Sequence, residues 1–249
     1  KSIKTVVFRI NSPGGSALAS DEIWREVQLT NKKMKVIVSM GDVAASGGYY
    51  IAAPASYIFA EPTTITGSIG VFGVIPYTGK LMENKLGVTF DRVATNKHAV
   101  LSTNRKLTEE EMGMIQGEVD MIYDDFLDRV ASGRGMTKEQ VNTIARGRVW
   151  TGRDALRVGL VDKLGGLNDA IAYASKTAKL KSAKVLYYPL VKEDKLADFI
   201  EQLSENEEGV EVKQSMKLPE SLMKEYSKLK NVEQMTGMQM RLPFMIDFK

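Results

Sequence analysis

Short, dense apolar runs mark the first third of the chain, and apolar residues at helical spacing mark the middle. Thr5-Val-Val-Phe-Arg-Ile10 is a β-rich run closed by Asn11-Ser-Pro-Gly-Gly15, which predicts a strand followed by a tight turn. From Ser16 to about Asn31, Leu18, Ile23 and Val27 recur at roughly helical spacing, with Asp21 and Glu22 in the first half. Lys35-Val-Ile-Val-Ser-Met40 reads as a second, buried strand, and the β-α-β order argues for a parallel sheet with a right-handed crossover. The small-residue stretch Gly41-Asp-Val-Ala-Ala-Ser-Gly-Gly48 opens a helix expected to run through Ala53. Tyr57-Ile-Phe-Ala60 predicts a third strand, and Thr63 to Gly73 a loop rich in Thr and Gly.

Helical hairpins are expected next. Thr108-x-x-Glu111 is a capping box, in which hydroxyl and carboxylate satisfy amides left free in the first turn. Behind it Met112, Ile115, Val119, Ile122, Phe126 and Val130 share one face of a long helix. Thr137-x-x-Gln140 repeats the signal, and Thr151-Gly-Arg-Asp154 opens another helix that Gly159 closes. Leu160-Val-Asp162 reads as a short strand, Asn168 as the cap of a helix through Ala178, and Val185 to Tyr188 as a late strand. Beyond about Lys192 the pattern changes: residues 201–211 are acidic and loop-like, 219–230 a polar amphipathic helix, and 235–245 rich in methionine. The expected division is a domain over 1–190 and a C-terminal extension over 191–249. That extension either packs on the domain or touches a neighbouring subunit, and methionine's adaptable apolar surface suits both.

Composition narrows the chemistry. Thirty-four basic and thirty-one acidic residues leave a net charge of +3 over 249 residues, with no basic block, so nucleic acid is not an expected partner. The chain has no cysteine, which removes thiol catalysis, disulfides and thiolate metal sites. A single histidine, His98, leaves almost no material for a Ser-His-Asp triad or an imidazole-bound zinc, and neither metal nor cofactor is expected. No window reaches the roughly 18 apolar residues of a membrane span. Lys1 stands directly before a strand, so the chain is expected to be a fragment whose anchor lies outside it.

Two glycine-bearing turns follow adjacent strands, at the strand ends where open parallel sheets place their ligand sites. In Asn11-Ser-Pro-Gly-Gly15 the paired glycines free the backbone to aim amide N–H groups at a ligand, half of an oxyanion hole. In Ala44-Ala-Ser-Gly-Gly48 small neighbours leave one serine hydroxyl approachable at a helix start, where the dipole favours a developing alkoxide. Such a serine needs a base, and a lysine amine can serve if burial lowers its pKa. Phe72 and Val74 could line an apolar groove. Tyr49, Tyr50 and Trp150 read as core or pocket wall, and Asp42 as lining the turn.

Asn11-Ser-Pro-Gly-Gly15, Met40-Gly-Asp-Val-Ala-Ala-Ser-Gly-Gly-Tyr49 and Thr66-Gly-Ser-Ile-Gly-Val-Phe-Gly73 together resemble the signal peptide peptidase (protease IV) family. Gly147-Arg-Val-Trp-Thr-Gly-Arg-Asp-Ala155 followed by Gly159-Leu-Val-Asp162 resembles that family's next block, so order and spacing hold to about residue 178. The resemblance implies an α/β fold, a ClpP/crotonase-like spiral of βαβ units, here with a helical C-terminal extension and without the first strand. It implies a Ser/Lys dyad with Ser46 as nucleophile and Ser68 orienting the lysine. Gly47 and the Gly14-Gly15 turn, Gly15 foremost, would form the oxyanion hole, with Asn11, Phe72 and Val74 on the substrate. The lysine is Lys97, as in single-unit members, or lies in a missing N-terminal half, as in long members whose C-terminal half this chain resembles. The family further implies signal-peptide substrates, a homo-oligomer (a tetramer for the long form) and the bacterial inner membrane, with the catalytic part facing the periplasm or exterior. Two other readings stay open: an assembly half without its base, and a crotonase-like acyl-CoA enzyme.

Overall fold

The computed structural model describes residues 3–97, 99, 101–180, 183–189 and 237–241. The chain divides into two units, Lys1–Leu180 with Met235–Lys249, and Lys181–Gln234. His98, the acidic stretch and the expected helix over 219–230 lie outside the described residues.

The sheet grows around one strand. β1 (Val6–Ser12) leads through β2 (Gly14–Ser16) into α1 (Ala17–Lys33) and then β3 (Val36–Ala45), parallel to β1 from Val6↔Val36 to Ile10↔Met40. Nine of the ten β3 residues are buried, as a strand covered on both faces must be. β3 pairs in parallel with β4 (Tyr57–Ala60) over Ile37–Ser39 and with β5 (Ile65–Gly67) over Val43–Ala45. The expected strand–helix–strand unit and its α/β class are therefore observed. α2 (Gly47–Ala52) follows β3 directly. The Thr/Gly stretch after β4 is not all loop, since it supplies β5 and part of β6 (Phe72–Val74).

α1 buries Ala17, Ser20, Trp24 and Val27, whereas Leu18 and Ile23 face outward. The three apolar residues read from the sequence straddle two faces; the buried face is set by Trp24, whose ring packs edge-on to Tyr50. α3 (Gly79–Leu86) precedes α4 (Glu109–Arg134), which has both halves of the Thr108/Glu111 capping box and ends on Gly135 at φ 63°. Its deeply buried apolar residues, Phe126, Leu127 and Val130, all lie in the second half, and Met112 is exposed. The Thr137/Gln140 box starts α5 (Lys138–Ile144), and β7 (Val149–Thr151) pairs antiparallel with β5. α6 (Gly152–Arg157) closes at Gly159, φ 81°.

Leu160-Val161 is not a strand. Both amides bond back to the Ala155 carbonyl, so the segment closes α6 while its side chains fill the core, and the ladder resumes at β8 (Lys163–Leu164). Gly166, not Asn168, caps α7 (Leu167–Thr177): its N–H donates to the Asp169 carboxylate at 2.9 Å. Val185 to Tyr188 forms no strand, and all four side chains are exposed. The last described element is β9 (Gly237–Arg241).

The α4 start carries an acid-sensitive contact. Glu111 is 1% exposed and accepts two bonds from the Arg105 guanidinium and one from the Thr108 amide. Arg105 foremost, then the Thr108 backbone, hold its carboxyl down to about 2 from an ordinary 4.5. The folded state thus binds fewer protons than the unfolded chain between those values, and stability rises with pH across that window. In urea titrations the stability gap between the parent and Glu111→Gln is expected to be full above pH 4.5 and to narrow as pH falls towards 2. A gap independent of pH would mean that the carboxylate is not held by this network.

Candidate active site

β3 and β5 deliver two serines side by side. Their last paired residues are Ala45 and Gly67, so Ser46 and Ser68 leave the sheet together. The Ser46 amide donates to the Gly67 carbonyl at 2.8 Å, and the Ser68 amide to the Arg148 carbonyl at 2.7 Å. Both serines have left-handed backbones, φ 53° and 48°, in a region that residues with a Cβ seldom occupy. Strain of that kind costs on the order of 1–3 kcal/mol per residue and persists only where the surroundings enforce it. Here the enforcement comes from the ladder before each serine and, for Ser46, from α2 immediately after it.

Ser46 is fully buried, and its Oγ has no hydrogen-bond partner among the described residues. A buried hydroxyl without a partner is unfavourable by about 1–3 kcal/mol. Gly47 is the first residue of α2, so its amide lacks an intrahelical carbonyl. The hydroxyl and this free amide belong to consecutive residues, Ser46 and Gly47.

The proline–glycine turn packs on the two glycines that follow this serine. A Cβ on Gly47 would stand 3.3 Å from Gly14 Cα, and one on Gly48 would stand 2.5 Å from the Ser12 carbonyl oxygen. The two glycines after Ser46 are thus needed for the close approach of β1–β2 to α2. Gly14 itself sits at φ 97°, and its amide donates to Ser12 Oγ at 3.2 Å. Gly15 has open space where a Cβ would be. The structure accordingly brings Ser46, Ser68, Gly47, Gly14 and Gly15 into one region.

The remaining expected residues are placed differently. The Asn11 side-chain oxygen accepts from the Val43 amide at 3.1 Å, which ties β1 to β3. Lys97 is 70% exposed and ion-paired with Glu110; its amine does not reach the Ser46 hydroxyl. Phe72 and Val74 lie on β6, which pairs with β9 and, through it, with β2. Tyr49 is core: it is fully buried, donates to the Leu160 carbonyl at 2.8 Å, and burial pushes its phenol well up, so it is no acid or base at neutral pH. Tyr50 donates to Asp21 at 2.6 Å and Trp150 to the Ile144 carbonyl at 2.9 Å, and Asp42 is exposed. Among the described residues no group of three or more His, Cys, Asp or Glu could hold a metal ion.

Sequence reasoning missed three contributors. Ser12 and Ser20 border the two turns, and their signal was available: Ser12 sits inside the Asn-Ser-Pro-Gly-Gly motif, and Ser20 is one helical turn after the Ser16 cap. Met240, whose carbonyl oxygen lies 2.9 Å from a would-be Gly47 Cβ, carries no local signal at all, since its partner Gly15 is at the other end of the chain.

Known proteins are similar to this chain. The chain is 47% identical over 190 residues to "Protease 4" of Salmonella typhi, covering 75% of this chain and 30% of that protein. It is 44% identical over 182 residues to "Serine protease SPPA, chloroplastic" of Arabidopsis thaliana, covering 72% and 27%. The chain thus spans under a third of the length of either relative. Among solved structures, a ClpP1 mutant from Listeria monocytogenes superposes with a TM-score of 0.45 at 20% identity, over 68% of this chain and 78% of that one. A family model described as "Peptidase family S49" matches residues 28–181. With that match running from within α1 past the end of α7, the chain belongs to peptidase family S49.

Proposed function

We propose that this chain is the catalytic portion of a serine endopeptidase that cuts released signal peptides and other unfolded apolar segments. The carrying observation is the buried, unpartnered Ser46 hydroxyl at φ 53°, with Ser68 beside it on the neighbouring strand. An extended peptide adds as a strand along β2, where main-chain hydrogen bonds give affinity with little dependence on sequence. Ser46 Oγ attacks the scissile carbonyl carbon while a lysine amine takes its proton. The Gly15 and Gly47 amides hold the oxyanion, the lysine returns the proton to the leaving amine, and water releases the acyl group. Ser68 Oγ orients the lysine. Asn11 acts at one remove, by fixing β1 against β3, and Phe72 and Val74 wall the groove. The lysine is Lys97, freed from Glu110, or one from chain beyond this sequence.

Around this centre we place a homo-oligomer, a tetramer if the chain is half of a long form, at the bacterial inner membrane with the site towards the periplasm or exterior. Among the described residues no helix is long and apolar enough to cross a membrane; the attachment in this reading is made by a segment outside this chain. The ion pair between Lys97 and Glu110 favours one second reading, an assembly half that borrows its lysine.

A fluorophosphonate probe decides between them. Covalent labelling of Ser46 in the parent, lost in Lys97→Ala and in Ser46→Ala, is expected if Lys97 is the base. Labelling unchanged in Lys97→Ala puts the base elsewhere. A parent that never labels is no peptidase by itself.

A further inference from the structure

α2 is only six residues long, yet its start holds both Ser46 and the Gly47 amide. A helix of under two turns has little stability of its own, so its neighbours fix where that amide points. α1 is the neighbour that matters, because it leaves the Gly14-Gly15 turn directly through its Ser16 cap. Two consecutive residues of α1 meet α2. Ser20 Oγ lies 2.5 Å from where a Gly47 Cβ would stand, so the helices touch beside the amide itself. One turn further along α2, the Tyr50 hydroxyl donates to Asp21 Oδ1 at 2.6 Å.

This bond is enclosed and supported from a third element. Tyr50 is buried, with its ring edge-on to Trp24 and tilted against Phe126 at 4.8 Å between centroids. Arg129 of α4 lies over Trp24, 4.0 Å from the ring centroid, and its Nε stands 3.4 Å from the same Asp21 oxygen. The carboxylate is thus held by a cation while it accepts from the phenol. Burial foremost, then the Asp21 bond, push the Tyr50 phenol well up, so it keeps its proton and goes on donating. Through its own amide, Tyr50 donates to the Ser46 carbonyl at 2.8 Å. One residue therefore joins the backbone of Ser46 to the helix that follows the glycine turn. Tyr49 beside it does something different, since its hydroxyl donates to the Leu160 carbonyl and ties α2 to the close of α6.

We propose that Tyr50 and Asp21 are positioning residues: their hydrogen bond fixes α2 against α1 and so sets the spacing between the Gly15 and Gly47 amides. The inference rests on reading those two amides as the oxyanion hole. Both side chains act through the helices that carry them, and neither touches the substrate. With the Ser20–Gly47 contact as pivot, loss of the bond one turn away lets α2 rock, and the amides no longer converge on one oxygen. A displacement near 1 Å in such a site lowers the rate about 10²-fold, so about half of that lowers it roughly 10-fold.

The test compares full chains: the parent, Tyr50→Phe, Asp21→Ala, Asp21→Asn and Tyr49→Phe. Phenylalanine at 50 keeps the ring packing and removes only the donor, and asparagine at 21 keeps an oxygen that accepts. Tyr50→Phe and Asp21→Ala are each expected to lower kcat on an unfolded peptide about 10-fold, with KM moved by less than about 2-fold. Affinity for a peptide aldehyde, whose adduct places an oxyanion in the same hole, should fall in step with kcat. Combining the two substitutions should be no worse than either alone, since both break one bond. Asp21→Asn should recover to within about 3-fold of the parent. Tyr49→Phe should lower the urea midpoint at least as far as Tyr50→Phe and leave kcat of the folded fraction unchanged. Parental kcat and aldehyde affinity in Tyr50→Phe overturn the inference and leave the peptidase reading standing. An equal loss of kcat in Tyr49→Phe also overturns it, since any loosening of α2 would then suffice. If the parent neither hydrolyses peptide nor binds the aldehyde, the reading of this chain as a peptidase by itself fails, and the Gly15 and Gly47 amide resonances of glycine-labelled protein become the readout. Resonances displaced together in Tyr50→Phe and Asp21→Ala, and restored in Asp21→Asn, support the clamp; resonances that stay in place overturn it.

Discussion

Ser46→Ala is expected to remove peptide hydrolysis by about 10⁴-fold or more while leaving the fold as stable as the parent or slightly more so. The two halves of that expectation come from separate observations. Loss of activity follows from the nucleophile role proposed for the Oγ, since an activated hydroxyl has no substitute when its residue is truncated. The stability half follows from burial. Ser46 Oγ is enclosed with no described partner, so deleting it removes an unsatisfied polar atom and should recover roughly 1 kcal/mol. Alanine inherits the φ of 53°, so the backbone strain remains and the gain stays small. Initial rates on an unfolded peptide and urea midpoints check both halves. Activity retained within tenfold would falsify the assignment of the nucleophile. A loss of more than about 2 kcal/mol would show that the hydroxyl has a structural partner.

Local elements were legible in the sequence because their signals are local. The Thr108/Glu111 and Thr137/Gln140 boxes announce helix starts through contacts three residues apart, and β3 announces itself as an unbroken apolar run. Ser46 and Gly14-Gly15 were legible for a related reason, since their glycines mark sharp turns at strand ends. Errors arose where tertiary packing chose between two local solutions. Leu160-Val161 has strand-forming residues, yet its amides are needed to finish α6. Leu18 and Ile23 are apolar, yet Trp24 fixes which face of α1 turns inward. The register of β9 against β2 and β6 could not be read at all. Gly15 and Met240 are joined only by the ladder, and the methionine-rich tail gave apolar character without direction. Lys97 depends on the fold in the same way, and the structure pairs it with Glu110.

Gly48→Ala and Gly15→Ala should part sharply although both add one methyl to the same pair of turns. On Gly48 the methyl would stand 2.5 Å from the Ser12 carbonyl oxygen, a backbone atom that cannot rotate away. Relief requires β1–β2 to move off α2, with an expected stability loss of roughly 1–3 kcal/mol. The same movement separates the Gly15 amide from Gly47 and Ser46, and a displacement near 1 Å in such a site lowers kcat about 10²-fold. On Gly15 the methyl meets nothing within 4 Å, and its backbone is outside the left-handed region. Stability there should be unchanged or higher by a few tenths of a kcal/mol, because alanine restricts the unfolded chain. Paired urea denaturation curves measure the difference directly, and kcat on the folded fraction of Gly48→Ala separates misplacement from unfolding. The opposite ranking, with Gly15→Ala the costly change, would mean that the turns are not held together by the contact between Gly48 and Ser12. The oxyanion strand would then need another anchor. The expected ranking instead makes the second glycine after Ser46 a spacing element: its missing side chain lets two turns from different strands approach closely, as the proposed oxyanion hole needs.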